Sequence, residues 1–259
     1  MQSYERLIVD KDTFWIKAWP LEQILSERNI TPKDFWGEKF DFTTACYRGY
    51  ISTWEIINDS LFLHEIVPCN FNDYPKGTCP KVDLKKFFSD KFKNNRLFAN
   101  WVSDELLSPR GKELFVSYNT EEIVNESTVG YIFEGGHLKK TNLYDNSKSK
   151  KSEYIDNPKL LKSFIYNNIR WDQLRSEIDS TDKKVYCTII SCDDNAKVDS
   201  VIVARGISPL LNAEAIRIVK SIPQWQVIYK KGVRKTPYWT VPINFNLKNM
   251  NQYYQSGSK

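Results

Sequence analysis

The chain has 259 residues, with 41% apolar and 14% aromatic side chains and only 10 glycines and 11 prolines, a composition that excludes a disordered or fibrous protein and suffices for a real core. Its net charge of +5 is unevenly spread, because residues 151–259 hold 17 Lys and Arg against 10 Asp and Glu while residues 1–150 carry a net −2. A mildly basic C-terminal half suits an acidic partner but lacks the clustered basic face of a nucleic-acid binder.

Strand signals dominate the first 144 residues. Tyr50 to Ile57 alternates in the manner of a half-buried strand, Asn58-Asp59-Ser60 supplies turn residues, and Leu61 to Val67 returns as its partner. A second hairpin is expected at Val129–Phe133 and His137–Leu143, because Gly135-Gly136 tolerates the positive φ angles of a tight turn. Thr31-Pro32 reads as an N-cap followed by proline at the first helical position, and a further short helix is expected over Leu84 to Phe92. Tyr144 to Asn157, YDNSKSKKSEYIDN, is polar and without apolar periodicity, which marks residues 145–157 as a linker between a β-rich domain at 1–144 and a second domain at 158–259.

The second domain reads α-β-β-α-β. Asn157-Pro158 starts a helix whose Leu161, Phe164, Ile165 and Ile169 share a face. Val185–Cys192 and Val198–Arg205 form a hairpin around Asp193-Asp194-Asn195, and Asn212 is expected to cap a helix that Pro223 ends. A last strand is expected from Thr236 to Leu247. The fold class is therefore α+β, with a small antiparallel sheet covered by helices on one side of the second domain.

Several strings in this domain go further. Ile202 to Trp225 (IVARGISPLLNAEAIRIVKSIPQW), Val241-Pro242-Ile243-Asn244-Phe245, Phe164-Ile165 with Asn168-Ile169, and Asn195-Ala196-Lys197-Val198 together resemble the C-terminal domain of the TonB energy-transducer family over about residues 158–247. The chain departs from the family at Trp171-Asp172, where a tyrosine and proline are usual, and at Gln226-Val227-Ile228, where a proline-glycine pair is common. The N-terminal part resembles only uncharacterised Gram-negative bacterial proteins, through strings such as Leu97-Phe98-Ala99-Asn100-Trp101.

The resemblance implies a non-catalytic module that binds a receptor-like extended segment by adding it to the last strand, in TonB-dependent transport. By alternation Tyr238, Thr240, Pro242 and Asn244, with Thr236 before them, form the partner-binding face, and Trp239, Val241, Ile243 and Phe245 form the core face. Pro242 suits an edge, since it has no donor to lose. Lys231, Arg234 and Lys235 beside Gly232 are expected to crowd a turn near that edge and guide an acidic partner. Trp225, after a helix end, is expected in the core. A homodimer is a further possibility. A second reading makes the chain an immunity or antitoxin-like protein, with the TonB-like domain as scaffold.

Catalysis is not expected. His64 and His137 lie in no nucleophile or metal motif, and no cofactor or metal is implied. His64, Cys69 and Cys79 match none of the usual zinc spacings. The five cysteines, odd in number and dilute, read as reduced thiols, with Cys187 and Cys192 on opposite faces of one strand. No stretch reaches the ~18–20 apolar residues of a membrane span, and the first ten residues lack the apolar core of a signal peptide. The sequence as it stands thus suggests a cytoplasmic protein, or a periplasmic one if an export signal or anchor has been removed.

Overall fold

A computed structural model describes residues 3–37, 43–117, 122–235 and 238–254. The fold is α+β and strand-rich, 42% strand against 27% helix, with antiparallel sheets. The chain divides into two compact units, Met1–Lys112 with Ser127–Asp145, and Glu113–Glu126 with Asn146–Lys259.

In the first unit β1 (Glu5–Val9) and β2 (Asp12–Ile16) form a hairpin, followed by the helices α1 (Leu21–Glu27) and α2 (Pro32–Trp36). Thr31 and Asp34 make a capping box that opens α2, which satisfies amides a helix start leaves bare. The strands β3 (Tyr50–Ile57) and β4 (Ser60–Pro68) follow, then α3 (Leu84–Phe88), β5 (Phe92–Lys93), β6 (Arg96–Phe98), β7 (Glu105–Ser117), β8 (Glu122–Glu134) and β9 (His137–Asp145). The helix expected over Leu84–Phe92 is thus shorter, and its last residue opens β5. The sheet runs β2-β1-β3-β4-β9-β8-β7, with β5 and β6 as a side hairpin on β4. Its two ends meet, because the Lys17 amide donates to the Leu107 carbonyl at 2.8 Å and the Ser108 hydroxyl to the Trp15 carbonyl at 2.6 Å. Inside lie Leu7, Ile16, Tyr50, Trp54, Leu61 and Ile66, closed by Leu21 and Ile24 of α1.

The second unit contains α4 (Glu153–Asp156), α5 (Pro158–Asn167), α6 (Trp171–Leu174), β10 (Lys183–Cys192), β11 (Val198–Arg205), α7 (Pro209–Lys220), β12 (Ile228–Lys230), β13 (Val233–Lys235), β14 (Trp239–Phe245) and α8 (Leu247–Tyr253). A three-stranded sheet, β11-β10-β14, packs Val185, Ile189, Val241, Ile243 and Phe245 against Leu211, Ala215 and Ile218 of α7. Trp225 is fully buried in this core. The tip of the β7–β8 hairpin also belongs here, where Phe115 and Val124 cluster with Ile228.

Four local expectations change. Of the expected linker 145–157, Asp145 ends β9 in the first unit and residues 146–157 are part of the second, with Lys150 and Val227 exchanging backbone bonds of 2.8 and 3.0 Å and Ser152 fully buried. Polar composition marked a linker there, but those polar groups are spent on internal hydrogen bonds. Helix α7 starts at Pro209 with Ser208 as its cap, and Asn212 lies inside it, its Oδ1 accepting from the Ile207 amide at 3.0 Å. The last strand is shorter than Thr236–Leu247, since Asn246 caps α8 through the Asn249 amide at 2.8 Å. Cys187 and Cys192 are both buried in the same core, because the bulge between Ile189 and Ser191 puts one extra residue in β10 and shifts the side-chain alternation by one.

The cysteines also differ from the reduced set. Cys46 and Cys69 form a disulfide with a Cα separation of 6.1 Å, and Cys79, Cys187 and Cys192 are free. The bond closes a 23-residue separation that ties the entry of β3 to the exit of β4. Alkylation of the denatured, unreduced protein is therefore expected to label three of the five cysteines. The Cys46→Ser variant should lose about 3 kcal/mol in urea unfolding of the first unit through restored loop entropy; labelling of all five in freshly purified protein would refute the bond.

Candidate functional site

The sheet of the second unit has two edge strands, β11 and β14. Pairing of β14 with β10 is regular from Lys183↔Phe245 to Ile189↔Trp239. In an antiparallel ladder every second residue turns both backbone groups away from its neighbour. Asn244 identifies that set, since its amide donates to the Tyr166 hydroxyl at 3.0 Å and its carbonyl accepts from Asn249 Nδ2 at 2.9 Å. By alternation Pro242 and Thr240 point outward as well. The missing donor of Pro242 therefore costs the β10 ladder nothing. Neither Tyr166 nor Asn249 reaches Thr240 or Pro242, so the open part of the edge lies N-terminal to Asn244.

The side chains follow the same register. Val241, Ile243 and Phe245 are buried, Trp239 is half-buried 6.2 Å from Trp225, and Thr240 and Pro242 are exposed. Tyr238 precedes the strand and is 74% exposed. Thr240 Oγ1 and Thr188 Oγ1 lie 2.9 Å apart across the two strands, and Asn244 Nδ2 donates to Asp182 at 2.9 Å. Thr236 lies outside the described residues.

The basic residues are positioned differently. Lys231 and Gly232, at φ of 51° and 69°, form the two-residue turn of the β12–β13 hairpin, a sheet separate from β14. Arg234 Nη1 meets Asp194 Oδ1 at 2.8 Å on the β10–β11 turn, and the Tyr229 hydroxyl donates to the same oxygen at 3.0 Å. Arg234 and the Tyr229 hydroxyl hold the Asp194 carboxyl below its ordinary range. Lys235 is exposed opposite Ile228. The hairpin is thus fastened to the β10–β11 turn through Arg234 and Tyr229.

Tyr166 and Asn249, which decide how much of the edge is open, carry no sequence signal for that role. Tyr166 comes from α5, 78 residues before Asn244, whereas Asn249 comes from α8, five residues after it.

In the first unit the notable chemistry is a buried carboxylate. Glu5 is fully buried on the inner face of β1 beside Leu7. Its Oε2 accepts from Trp54 Nε1 at 2.7 Å, and Arg48 Nε lies 4.0 Å from Oε1. Ser52 and the Tyr50 hydroxyl, which donates to Glu22, complete the surroundings. Desolvation raises the Glu5 pKa to about 7, against the lowering effects of Ser52, Trp54 and Arg48, and Glu22 adds to the rise. Strand alternation in ERLIV puts Glu5 on the Leu7 face, a signal the sequence did contain.

The two histidines lie apart from one another in the first unit. His64 Nδ1 lies 3.8 Å from Glu55 on an open surface, Cys69 is consumed by its disulfide, and burial pushes the Cys79 thiol pKa up. Among the described residues no group of three His, Cys, Asp or Glu is placed to hold a metal ion. An open cleft of about 480 Å³ at Lys17–Pro20, Glu22 and Val102–Leu106 borders the seam of the closed sheet. No helix among the described residues is long and apolar enough to cross a membrane. Comparison with known proteins gives no match to a family model, a characterised protein or a solved structure.

The Glu5 site has a pH signature. A carboxyl whose folded pKa lies above its unfolded value of 4.5 stabilises the fold fully below that value and loses the contribution as pH rises towards about 7. Urea unfolding of the first unit should therefore weaken by about 3 kcal/mol across that window. In Glu5→Gln the slope should vanish; an unchanged slope would show that another group is responsible.

Proposed function

We propose that residues 158–247 form a TonB C-terminal-like module that binds a partner protein without catalysis, by adding an extended segment of that partner to the outer edge of β14. The observation that carries this reading is the phase of the β14 ladder: Thr240 and Pro242 fall in the set that faces away from β10, beyond the reach of the Tyr166 and Asn249 bonds at Asn244. A visiting strand gains backbone hydrogen bonds there, while Tyr238 and Thr240 lie where alternate side chains of the visitor would be distinguished. The strings Ile202–Trp225 and Val241–Phe245 support the family reading, and so does the α5-β10-β11-α7-β14 order with β14 outermost. Transport across a Gram-negative outer membrane is the setting this reading implies.

One observation bears on where the protein acts. The Cys46–Cys69 disulfide favours an oxidising compartment, which suits the periplasmic alternative better than the cytoplasm.

Binding of fluorescent, receptor-derived extended peptides to the full chain tests the proposal. Thr240→Pro removes an outward amide and should abolish binding, whereas Thr240→Val keeps the amide and should bind as well as the parent. Pro242→Thr adds a donor to the same edge and should tighten binding about fivefold, the effect of one net hydrogen bond of about 1 kcal/mol. Equal binding by the parent and a folded Thr240→Pro variant would refute strand addition at this edge.

A further inference from the structure

Where β6 pairs with β4 in the first unit, Phe62 faces Phe98 and Leu63 faces Leu97. Leu63 and Leu97 are buried, whereas Phe62 and Phe98 are half-buried with ring centroids 5.7 Å apart. The His137 ring continues the strip at 5.0 Å from Phe98, with its Nδ1 3.3 Å from the Ser60 hydroxyl. Three rings thus form an accessible strip.

Cations stand over it. The β5–β6 turn uses Asn94 and Asn95 at positive φ, 50° and 61°, which brings Lys93 and Arg96 to the two sides of a tight hairpin. Lys93 Nζ lies 5.2 Å from the Phe98 centroid, and Arg96 lines two clefts, of about 430 and 390 Å³, that share Phe62. Asn58 and Ser60 line the first cleft, and Glu55 and His64 the second. Among the described residues neither Lys93 nor Arg96 makes an ion pair, and Glu55, the acid in the lining, faces His64 at 3.8 Å. Both cations thus stand beside accessible rings without an acidic partner among the described residues. A ligand that offers a planar ring for stacking and an anion for the cations satisfies both features, and the clefts are of small-molecule size.

We propose that these two clefts, which share Phe62 and Arg96, bind a planar, anionic small molecule of nucleoside monophosphate size. Its ring lies against Phe62 and Phe98, and its phosphate meets Lys93 and Arg96. The site is independent of the β14 edge, so either reading stands without the other.

Calorimetric titration of the full chain with AMP is the direct experiment, with adenosine and ribose 5-phosphate as the two halves of the probe. AMP should saturate, and each half should bind at least about tenfold more weakly, because each keeps only one of the two interactions. Lys93→Ala/Arg96→Ala should weaken AMP about tenfold, with circular dichroism unchanged because both side chains are at the surface. Phe62→Ala should weaken AMP and leave ribose 5-phosphate unaffected. No saturation by roughly 10 mM AMP, or equal binding by the folded double variant, would overturn the site.

Discussion

An antiparallel edge strand satisfies half of its backbone groups on its neighbour and leaves the other half facing out. For β14 this alternation decides almost everything about the second unit's exposed edge. It fixes Pro242 at a position where a missing amide is harmless, and it turns both polar groups of Asn244 outward. At Asn244 the protein supplies its own partners, the hydroxyl of Tyr166 and the amide of Asn249. Capping one end and leaving the next two residues open limits the length a visitor can pair, and it is also a way of blunting an edge against aggregation.

The first unit resolves a different tension. Its sheet closes end to end over a buried inner face of β1, yet that face includes Glu5. Burying a carboxyl costs several kcal/mol unless it is bonded or neutral. Here both remedies operate: Trp54 donates to one carboxyl oxygen, and desolvation raises the pKa to about 7. Arg48, which bonds to the Ser3 carbonyl at 2.9 Å and stacks on Trp19 at 4.9 Å, adds a positive charge on the same side. The Cys46–Cys69 bond lies close in sequence to Arg48 and fixes the loop that carries it.

Local chemistry was legible in the sequence wherever one element decides the outcome. The β3–β4 turn, the Asn157 cap of α5 and the hairpin at Gly135-Gly136 follow from turn and cap residues that act within a few positions. The alternation of Val241, Ile243 and Phe245 against Thr240 and Pro242 was equally plain. Features that need two distant segments were not. Nothing near Asn244 announces that Tyr166, 78 residues earlier, covers its amide. Cys46 and Cys69 are brought together by the β3–β4 pairing, which no cysteine count reveals. Lys150 in a polar run looked like linker because a segment that hydrogen-bonds internally has the same composition as one that bonds to water.

The two edges of the second unit's sheet differ in regularity. Along β11 the register with β10 shifts at Tyr186/Cys187, Ile189/Ser191 and Ser191/Cys192. Bulges twist a strand and interrupt the even spacing of its outward groups, so β11 is a poor template for a further strand. The pairing of β14 is uninterrupted from Trp239 to Phe245, and its outward groups keep the spacing a visiting backbone needs. The proline at position 242 takes one donor away from that edge, so that the outward set at Pro242 offers an acceptor alone.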